Sequence, residues 1–320
     1  MSAPILQGTP RLLKKYSFLK EILLKMKCYH LNIAGYRIRF EADADGADLV
    51  PAIRFRKYIS DEKEYDITIL IHSGKYTLTA GTPKVFSAPY VEEVNGIRIK
   101  KKDEFWSVYK NNDDLFISTD FPLSPEKKRA ILKFSLSSHN WELWFEQEGN
   151  AADPMEYPLD GLILYYLTVI HKDIMIHASG ISNAGNGYVF SGVSGKGKTT
   201  MAKLWHASGA KVIHDDRLII RKARNGYRMY NTPVYNNDNP WDTQVSRIFI
   251  IEHGLSDKLI RVTGAHAVSL VMSNCIQHNW NKEIINRLLE SVTDFCENVP
   301  AEMLYFKPER NVIDYIIKNA

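Results

Sequence analysis

The segment NGYVFSGVSGKGKTTMA, residues 186–202, leads from an apolar run through a cluster of glycines into a helix-compatible run. Within it, Gly192 to Thr199 fits the pattern G-x-x-x-x-G-K-S/T. We predict a strand over Tyr188 to Ser191 and a helix over Thr199 to Ala207, ended by Gly209. In this strand-to-helix setting the pattern acts as a phosphate-binding loop, the Walker A or P-loop motif. We therefore expect an α/β fold around it.

Each part of the glycine-rich loop meets a requirement of triphosphate binding. Glycines let successive backbone N–H groups converge on phosphate oxygens, and the N-terminus of the following helix adds its dipole. Lys198 is predicted to reach the β and γ phosphates, and the Thr199 hydroxyl to ligate Mg²⁺. The alternative is a glycine-rich turn without a ligand. The residues predicted to bind ATP are Gly192, Val193, Ser194, Gly195, Lys196, Gly197, Lys198, Thr199 and Thr200.

Two adjacent carboxylates follow the loop. Asp215 and Asp216 come seventeen residues or so after Lys198, at the end of a short predicted strand, Ala210 to Ile213. One crossover helix would bring the carboxyl end of that strand beside the loop. One carboxylate could then hold Mg²⁺, and the other could take a proton from an incoming hydroxyl. The alternative is a pair of solvated aspartates in a turn.

Histidines and basic residues flank these elements. His177 lies in a predicted strand before the turn at Gly185 to Gly187, and its imidazole could tune an aspartate or be a satisfied core residue. His214 could likewise tune an aspartate or be a satisfied core residue. A basic cluster could stabilise charge on a transferring phosphoryl group or form the solvated face of a hairpin. Its members are Arg217, Arg221, Lys222 and Arg224.

The sequence predicts three segments. Residues 29–150 alternate apolar and polar side chains, as in Tyr65 to Ile71, and predict a β-rich domain with a hairpin at Asn111 to Asp114. Residues 159–320 predict an α/β domain that carries the loop, and the polar stretch Glu148 to Pro158 is the expected boundary. The α/β domain is expected to contain a helix after the loop, a last helix at its end, and three more helices: Asp160 to His171, Ala265 to Asn274 and Lys282 to Cys296. Its further expected strands are Ile174 to Ser182, Val245 to Ile251 and Met303 to Phe306.

The first segment, residues 1–28, predicts an amphipathic helix over Arg11 to Lys27, with apolar residues recurring among five lysines. Such a helix could lie on a membrane surface, or pack against its own chain or a partner subunit, which leaves a homo-oligomer open. The longest apolar stretch, Leu162 to Ile170, is about half of what a membrane span requires, so no transmembrane segment is expected.

Composition narrows the function classes. The 320 residues carry a formal net charge of +4 from 41 basic and 37 acidic residues, too dispersed for a nucleic-acid binder. Cys28, Cys275 and Cys296 are widely separated and form no Cys-x-x-Cys pair, which suits neither a disulfide framework nor a zinc site. We expect reduced thiols and a cytoplasmic protein.

The stretch IHASGISNAGNGYVFSGVSGKGKTTMAKLWHASGAKVIHDD, residues 176–216, resembles the catalytic domain of the HPr kinase/phosphorylase family, which is akin in fold to ATP-dependent phosphoenolpyruvate carboxykinase. In that family a histidine precedes a short hairpin that leads into the phosphate loop, and an Asp-Asp pair closes the next strand. His177 and Asp215-Asp216 stand in those places. The resemblance implies that Asp215 is the base toward an acceptor hydroxyl, that Asp216 helps to hold Mg²⁺, and that His177 modulates Asp215.

The chain lacks the I-R-G-L-G and V-x-P-G-R segments of the family, so the resemblance is to a divergent member. The leading hypothesis is a Mg²⁺-dependent kinase that transfers the γ-phosphoryl group of ATP to a hydroxyl, such as serine in a protein, a peptide or a small molecule. Its predicted catalytic residues are Asp215, His177 and Lys198. The alternative is a regulatory or scaffolding protein that binds nucleotide without transferring phosphate. A carboxykinase-like enzyme acting on a small acid would need further basic and metal-ligating residues that the sequence does not offer.

Overall fold

A computed structural model describes residues 26–44, 46–94, 97–122, 127–147 and 151–319. Most of the predicted segment 1–28 lies outside the described residues. Of the helix predicted for Arg11 to Lys27, the structure describes residues 26 and 27 alone, and Met26 forms an antiparallel bridge with Leu49. Among the residues described, no helix is long and apolar enough to cross a membrane.

The N-terminal half of the chain is rich in strands. Eight of its ten strands form one sheet in the order β1-β2-β4-β9-β8-β7-β6-β5, while β3 and β10 form a small parallel pair. Alternation explains the sheet, because Ile67, Ile69 and Ile71 are buried on one face of β4. The hairpin predicted at Asn111 to Asp114 is confirmed, since these two residues pair across the turn. The strands are β1 (Cys28–Ile33), β2 (Tyr36–Ala42), β3 (Asp48–Leu49), β4 (Ile67–Ser73), β5 (Lys84–Val94), β6 (Ile97–Asn111), β7 (Asp114–Thr119), β8 (Lys127–Phe134), β9 (Asn140–Gln147) and β10 (Ala151–Ala152). A 3-10 helix, Ile53–Tyr58, lies between β3 and β4.

The C-terminal half contains a second, mixed sheet of eight strands in the order β15-β14-β13-β11-β12-β16-β18-β17. Its pairs are antiparallel except β12 with β16 and β16 with β18. The strands are β11 (Ile174–Asn183), β12 (Asn186–Ser191), β13 (Lys211–Ala223), β14 (Gly226–Asn231), β15 (Asp242–Gln244), β16 (Arg247–His253), β17 (Lys258–Val262) and β18 (Ala301–Phe306). The helices are α1 (Leu159–His171), α2 (Lys198–Ala207), α3 (Gly264–Met272), α4 (Lys282–Asn298) and α5 (Asn311–Asn319). The chain is thus a mixed α/β protein, as the sequence predicts.

One prediction for this half is wrong. The short strand expected over Ala210 to Ile213 is the start of β13, which continues through the two aspartates to Ala223. β13 pairs antiparallel with β11, and β11 separates it from β12. The aspartates therefore lie within a strand rather than at the carboxyl end of a parallel one. Pairing with β11 on one side outweighs the turn preference of the Asp-Asp pair, and β14 pairs with β13 only from Leu218 onward.

Helices cover both faces of the second sheet. Side chains of α2 and α5 pack on one face around Phe190 and Phe249, and side chains of α3 and α4 pack on the other. α1 instead joins the core of the first sheet, where its apolar residues are buried together with Met175 and Ile219 of the second sheet. The boundary predicted at Glu148 to Pro158, of which residues 148–150 lie outside the described part, therefore separates stretches that share one core.

Trp205 anchors the helix that begins at Lys198. It is fully buried against Tyr188 and Phe190. We expect Trp205→Ala to lower the free energy of unfolding by about 3–5 kcal/mol, because it removes the largest side chain between α2 and the sheet. His206→Ala, which changes an exposed neighbour, should change it by less than about 0.5 kcal/mol. Urea unfolding of both variants measures the difference, and equal effects would mean that α2 is not held by this contact.

Candidate active site around the glycine-rich loop

Glycines shape the loop between β12 and α2. Gly195 and Gly197 have φ angles of 83° and 96°, in the left-handed region where other residues are strained. A Cβ on Gly197 would also lie 2.9 Å from the ring of Phe306, and one on Gly192 would lie 3.0 Å from the carbonyl oxygen of Ile251. The glycines are therefore required both by the backbone turn and by the close approach of β16 and β18.

Lys198 is the first residue of α2, and its side chain folds back onto the start of this loop. Its ammonium donates to the carbonyl oxygens of Gly192, at 2.6 Å, and Val193, at 3.3 Å, and the residue is 9% exposed. Burial lowers the pKa of Lys198, while the negative charges of Asp215 and Asp216 oppose that shift. The charges of the predicted lysine and of both predicted carboxylates therefore act on one another.

The register of β11 brings the two aspartates to the loop. Ala178 pairs with Ser191, the last residue of β12, on one side and with Asp216 on the other. Two strand spacings, about 10 Å, thus separate the end of β12 from Asp216. Next to it, Ser179 pairs with Asp215, and its hydroxyl donates a hydrogen bond to the Asp215 carboxylate.

His177 contacts a different aspartate from the one that the resemblance implies. Its Nδ1 lies 3.4 Å from Oδ1 of Asp216, and it is Ser179 that bonds to Asp215. Burial lowers the pKa of His177, as does the positive charge of Lys198, whereas Asp216 acts in the opposite direction. The imidazole therefore reaches the site through Asp216.

Arg217 connects this cluster to the N-terminal half. Its guanidinium lies 3.6 Å from Oδ2 of Asp216 and 3.5 Å from Oδ2 of Asp160, which is almost fully buried in the first turn of α1. The same oxygen of Asp160 lies 3.4 Å from Arg54 of the 3-10 helix. A Cβ on Gly161 would come within 2.6 Å of the Arg217 guanidinium, so the arginine passes directly over this glycine. Asp160 therefore holds Arg217 beside Asp216.

The structure gives the remaining basic and histidine candidates other partners. Arg221 donates to Asp173, and Lys222 bonds to Asp294 near Tyr227, so neither joins the loop. Arg224 is exposed at the hairpin turn. His214 is buried, with Nε2 3.3 Å from Oδ2 of Asp238. Of the predicted basic cluster, Arg217 alone contacts a predicted site residue within the described part of the chain.

Further residues of the site escaped the sequence analysis. Glu252 at the end of β16 forms an ion pair with Lys196, and His253 lies 3.1 Å from the carbonyl oxygen of Gly195. The hydrogen bond from Lys196 lowers the pKa of Glu252. Their only signal in the sequence is their place at the end of an apolar strand, next to β12 in the sheet. Ser179 and Asp160 carry no motif at all.

The oxygen donors near the loop suit Mg²⁺. Thr199 is exposed in the first turn of α2, and Asp216 is partly exposed on β13. In the described part of the chain, no three His, Cys, Asp or Glu residues form a cluster that could hold a metal. Mg²⁺ at triphosphate sites needs no such cluster, because it is bound through one or two protein oxygens, water and the phosphates.

No protein-family model matches this sequence, and no curated protein is significantly similar to it. Among solved structures, the HPr(Ser) kinase/phosphatase from Coxiella burnetii matches 45% of this chain and 94% of its own chain, with 10% sequence identity and a TM-score of 0.30. A TM-score this low supports no argument about function, so a proposal has to depend on the geometry of the site.

The charges around His177 predict how its pKa responds to substitution. Lys198→Met should raise the pKa of His177, because it removes a repelling positive charge, and Asp216→Asn should lower it further. Lys203→Met, at an exposed position of the same helix, is the control. Titration of the imidazole ring protons by NMR measures all three, and a pKa insensitive to Lys198 would show that the two groups are not coupled.

Asp160 predicts a stability effect. Asp160→Asn should lower the free energy of unfolding by about 2 kcal/mol, because two guanidinium groups lose their shared carboxylate; partial exposure of both arginines keeps the loss below that of a fully buried pair. Glu290→Gln, which breaks the exposed pair with Lys172, should cost less than about 0.5 kcal/mol. A urea titration in which both variants unfold alike would contradict the role given to Asp160.

Proposed function

We propose that the chain is a Mg²⁺-dependent kinase that transfers the γ-phosphoryl group of ATP to a hydroxyl. The observation that carries the proposal is the register of the second sheet, which places Asp215 and Asp216 two strands away from the end of β12, where a glycine-rich loop leads into the helix that begins with the buried Lys198. Such a loop presents converging backbone N–H groups to phosphates, and the helix dipole favours their negative charge. A purely structural loop would not need a buried lysine together with two carboxylates on a neighbouring strand.

Within this proposal the loop and Lys198 bind the triphosphate. Lys198 exchanges its carbonyl partners for phosphate oxygens and neutralises charge that develops on the transferring group. Thr199 and Asp216 would hold Mg²⁺, and the ion would supply further positive charge to the triphosphate. The Lys196 side chain is held by Glu252, which leaves Lys198 as the buried cation of the loop.

Asp215 is the proposed base. Ser179 donates to its Oδ1 and orients the carboxylate, so the other oxygen takes the proton of the acceptor hydroxyl. The acceptor oxygen forms a bond to the γ phosphorus while the bond from that phosphorus to the β-γ bridging oxygen breaks. ADP leaves with the electron pair of the broken bond.

His177 and Arg217 act through Asp216 in this scheme. The imidazole lies on one side of that carboxylate and the guanidinium on the other, so both fix its position. The family resemblance implies that His177 modulates Asp215. In this proposal His177 instead positions Asp216.

The test separates binding from transfer. Lys198→Met should abolish the binding of ATP with Mg²⁺ in a calorimetric titration, because the triphosphate loses the buried cation. Asp215→Asn should keep that binding and lower transfer of labelled γ-phosphoryl to serine or to serine peptides by at least about 100-fold, which is the contribution of a general base. Asp314→Asn, an exposed position on α5, is the matched control and should match the unsubstituted protein in both assays.

Two results would contradict the proposal in different ways. Tight ATP binding without transfer to any acceptor would support a nucleotide-binding regulatory protein instead. Transfer that survives Asp215→Asn unchanged would remove Asp215 from the role of base.

A further inference from the structure

A cavity of about 270 Å³ opens beside Asp215, on the side of β13 that faces the segment between β14 and β15. It is smaller than sites for drug-sized ligands, which are roughly 300–1,000 Å³. Its walls combine one edge of β13 with that connecting segment. The lining residues are Val212, Ile213, His214, Asp215, Tyr235, Asn237, Asp238, Asn239 and Trp241.

The connecting segment is held in a defined conformation. Oδ2 of Asp238 accepts hydrogen bonds from the backbone N–H groups of Val234, at 2.8 Å, and Tyr235, at 2.6 Å. From the N-terminal half, the Lys57 ammonium donates to Oδ1 of Asn239 at 2.9 Å. The cavity is therefore built by tertiary contacts rather than by one loop alone.

Charge distinguishes the lining of this cavity. Among the described residues, its lining contains two carboxylates, Asp215 and Asp238, and neither lysine nor arginine. Two ammonium groups contact the lining from outside: Lys57 donates to Asn239, and Lys211 lies over the ring of Trp241 at 4.1 Å from its centroid. The imidazole of His214 is buried and bonded to Asp238. An anionic molecule would enter this cavity against two negative charges, while both lysines lie outside the lining and are already engaged with Asn239 and Trp241.

The remaining walls suit an uncharged polar molecule. Tyr235 is 52% exposed and Trp241 is 38% exposed, so each ring keeps part of its apolar surface open beside its contact with His214 or Lys211. Two amides, Asn237 and Asn239, offer donors and acceptors beside them.

We propose that this cavity binds the phosphoryl acceptor, and that the acceptor is a hydroxyl compound about as large as one capped amino acid and without net negative charge. The inference rests on the kinase function proposed above. Its hydroxyl lies at the Asp215 end, where its proton passes to the carboxylate, and the rest of the molecule lies between Tyr235 and Trp241. Acidic acceptors are excluded by repulsion from Asp215 and Asp238.

Three probes with the same hydroxyl test the charge preference: serinamide is cationic, N-acetylserinamide is neutral and N-acetylserine is anionic. Calorimetric titrations are made on the full chain with Mg²⁺ and a non-hydrolysable ATP analogue. We expect the neutral and cationic probes to bind at least tenfold more tightly than the anionic one. Equal or tighter binding of N-acetylserine, or no binding of any probe, would overturn the proposal.

A positive charge introduced at the rim of the cavity provides a second test of the charge preference. Tyr235→Lys should reduce the preference for N-acetylserinamide over N-acetylserine by at least tenfold. Ile317→Lys, at a residue that is also 52% exposed but lies on α5, should leave the preference unchanged. A preference that both substitutions change alike would place the probes outside this cavity.

Transfer of label from ATP to the same probes separates this inference from the function that it rests on. Binding in the predicted order without transfer would contradict the kinase function and keep the cavity as a binding site. Transfer at equal kcat/KM to all three probes would keep the kinase function and overturn the charge preference.

Discussion

Strand β11 hydrogen-bonds to β12 on one edge and to β13 on the other, and the site depends on this shared register. Ala178 pairs with the last residue of β12 and with Asp216, and Ser179 pairs with Asp215. A shift by one residue would turn each side chain to the opposite face of the sheet. The glycine-rich loop, which follows β12 directly, therefore keeps a fixed relation to both aspartates, although about 20 residues and a helix separate them in the chain.

Positively and negatively charged side chains alternate around the paired strands. The Lys198 ammonium lies within the field of two carboxylates, and Arg217 lies between Asp216 and the buried Asp160. Arg54 brings the N-terminal half into the same network through Asp160. Because the core of the first sheet also takes up α1, the two halves of the chain support the site both by apolar packing and by ion pairs.

The sequence predicts the parts of this site that carry local patterns. The glycine spacing, the apolar run before it and the helix after it are local features, and the structure has a strand and a helix at those places. The sequence does not predict the strand through Asp215, because Asp residues favour turns and only pairing with β11 makes this pair extended. Likewise, the partner of His177 depends on side-chain geometry across two strands. Asp160 looks like an ordinary acidic residue at a helix start, and only the tertiary approach of two arginines gives it a role.

The site that results is a strand-loop-helix unit facing a carboxylate pair, with a small cavity on the far side of Asp215. We propose that triphosphate binds at the loop and that Asp215 lies between the γ phosphate and the acceptor. A crystal structure with Mg²⁺ and a non-hydrolysable ATP analogue tests this most directly. We expect the phosphates on the loop, the Lys198 ammonium on phosphate oxygens, and Asp215 open to the cavity bordered by Tyr235 and Trp241. Nucleotide bound elsewhere, or a γ phosphate screened from Asp215 by protein, would contradict it.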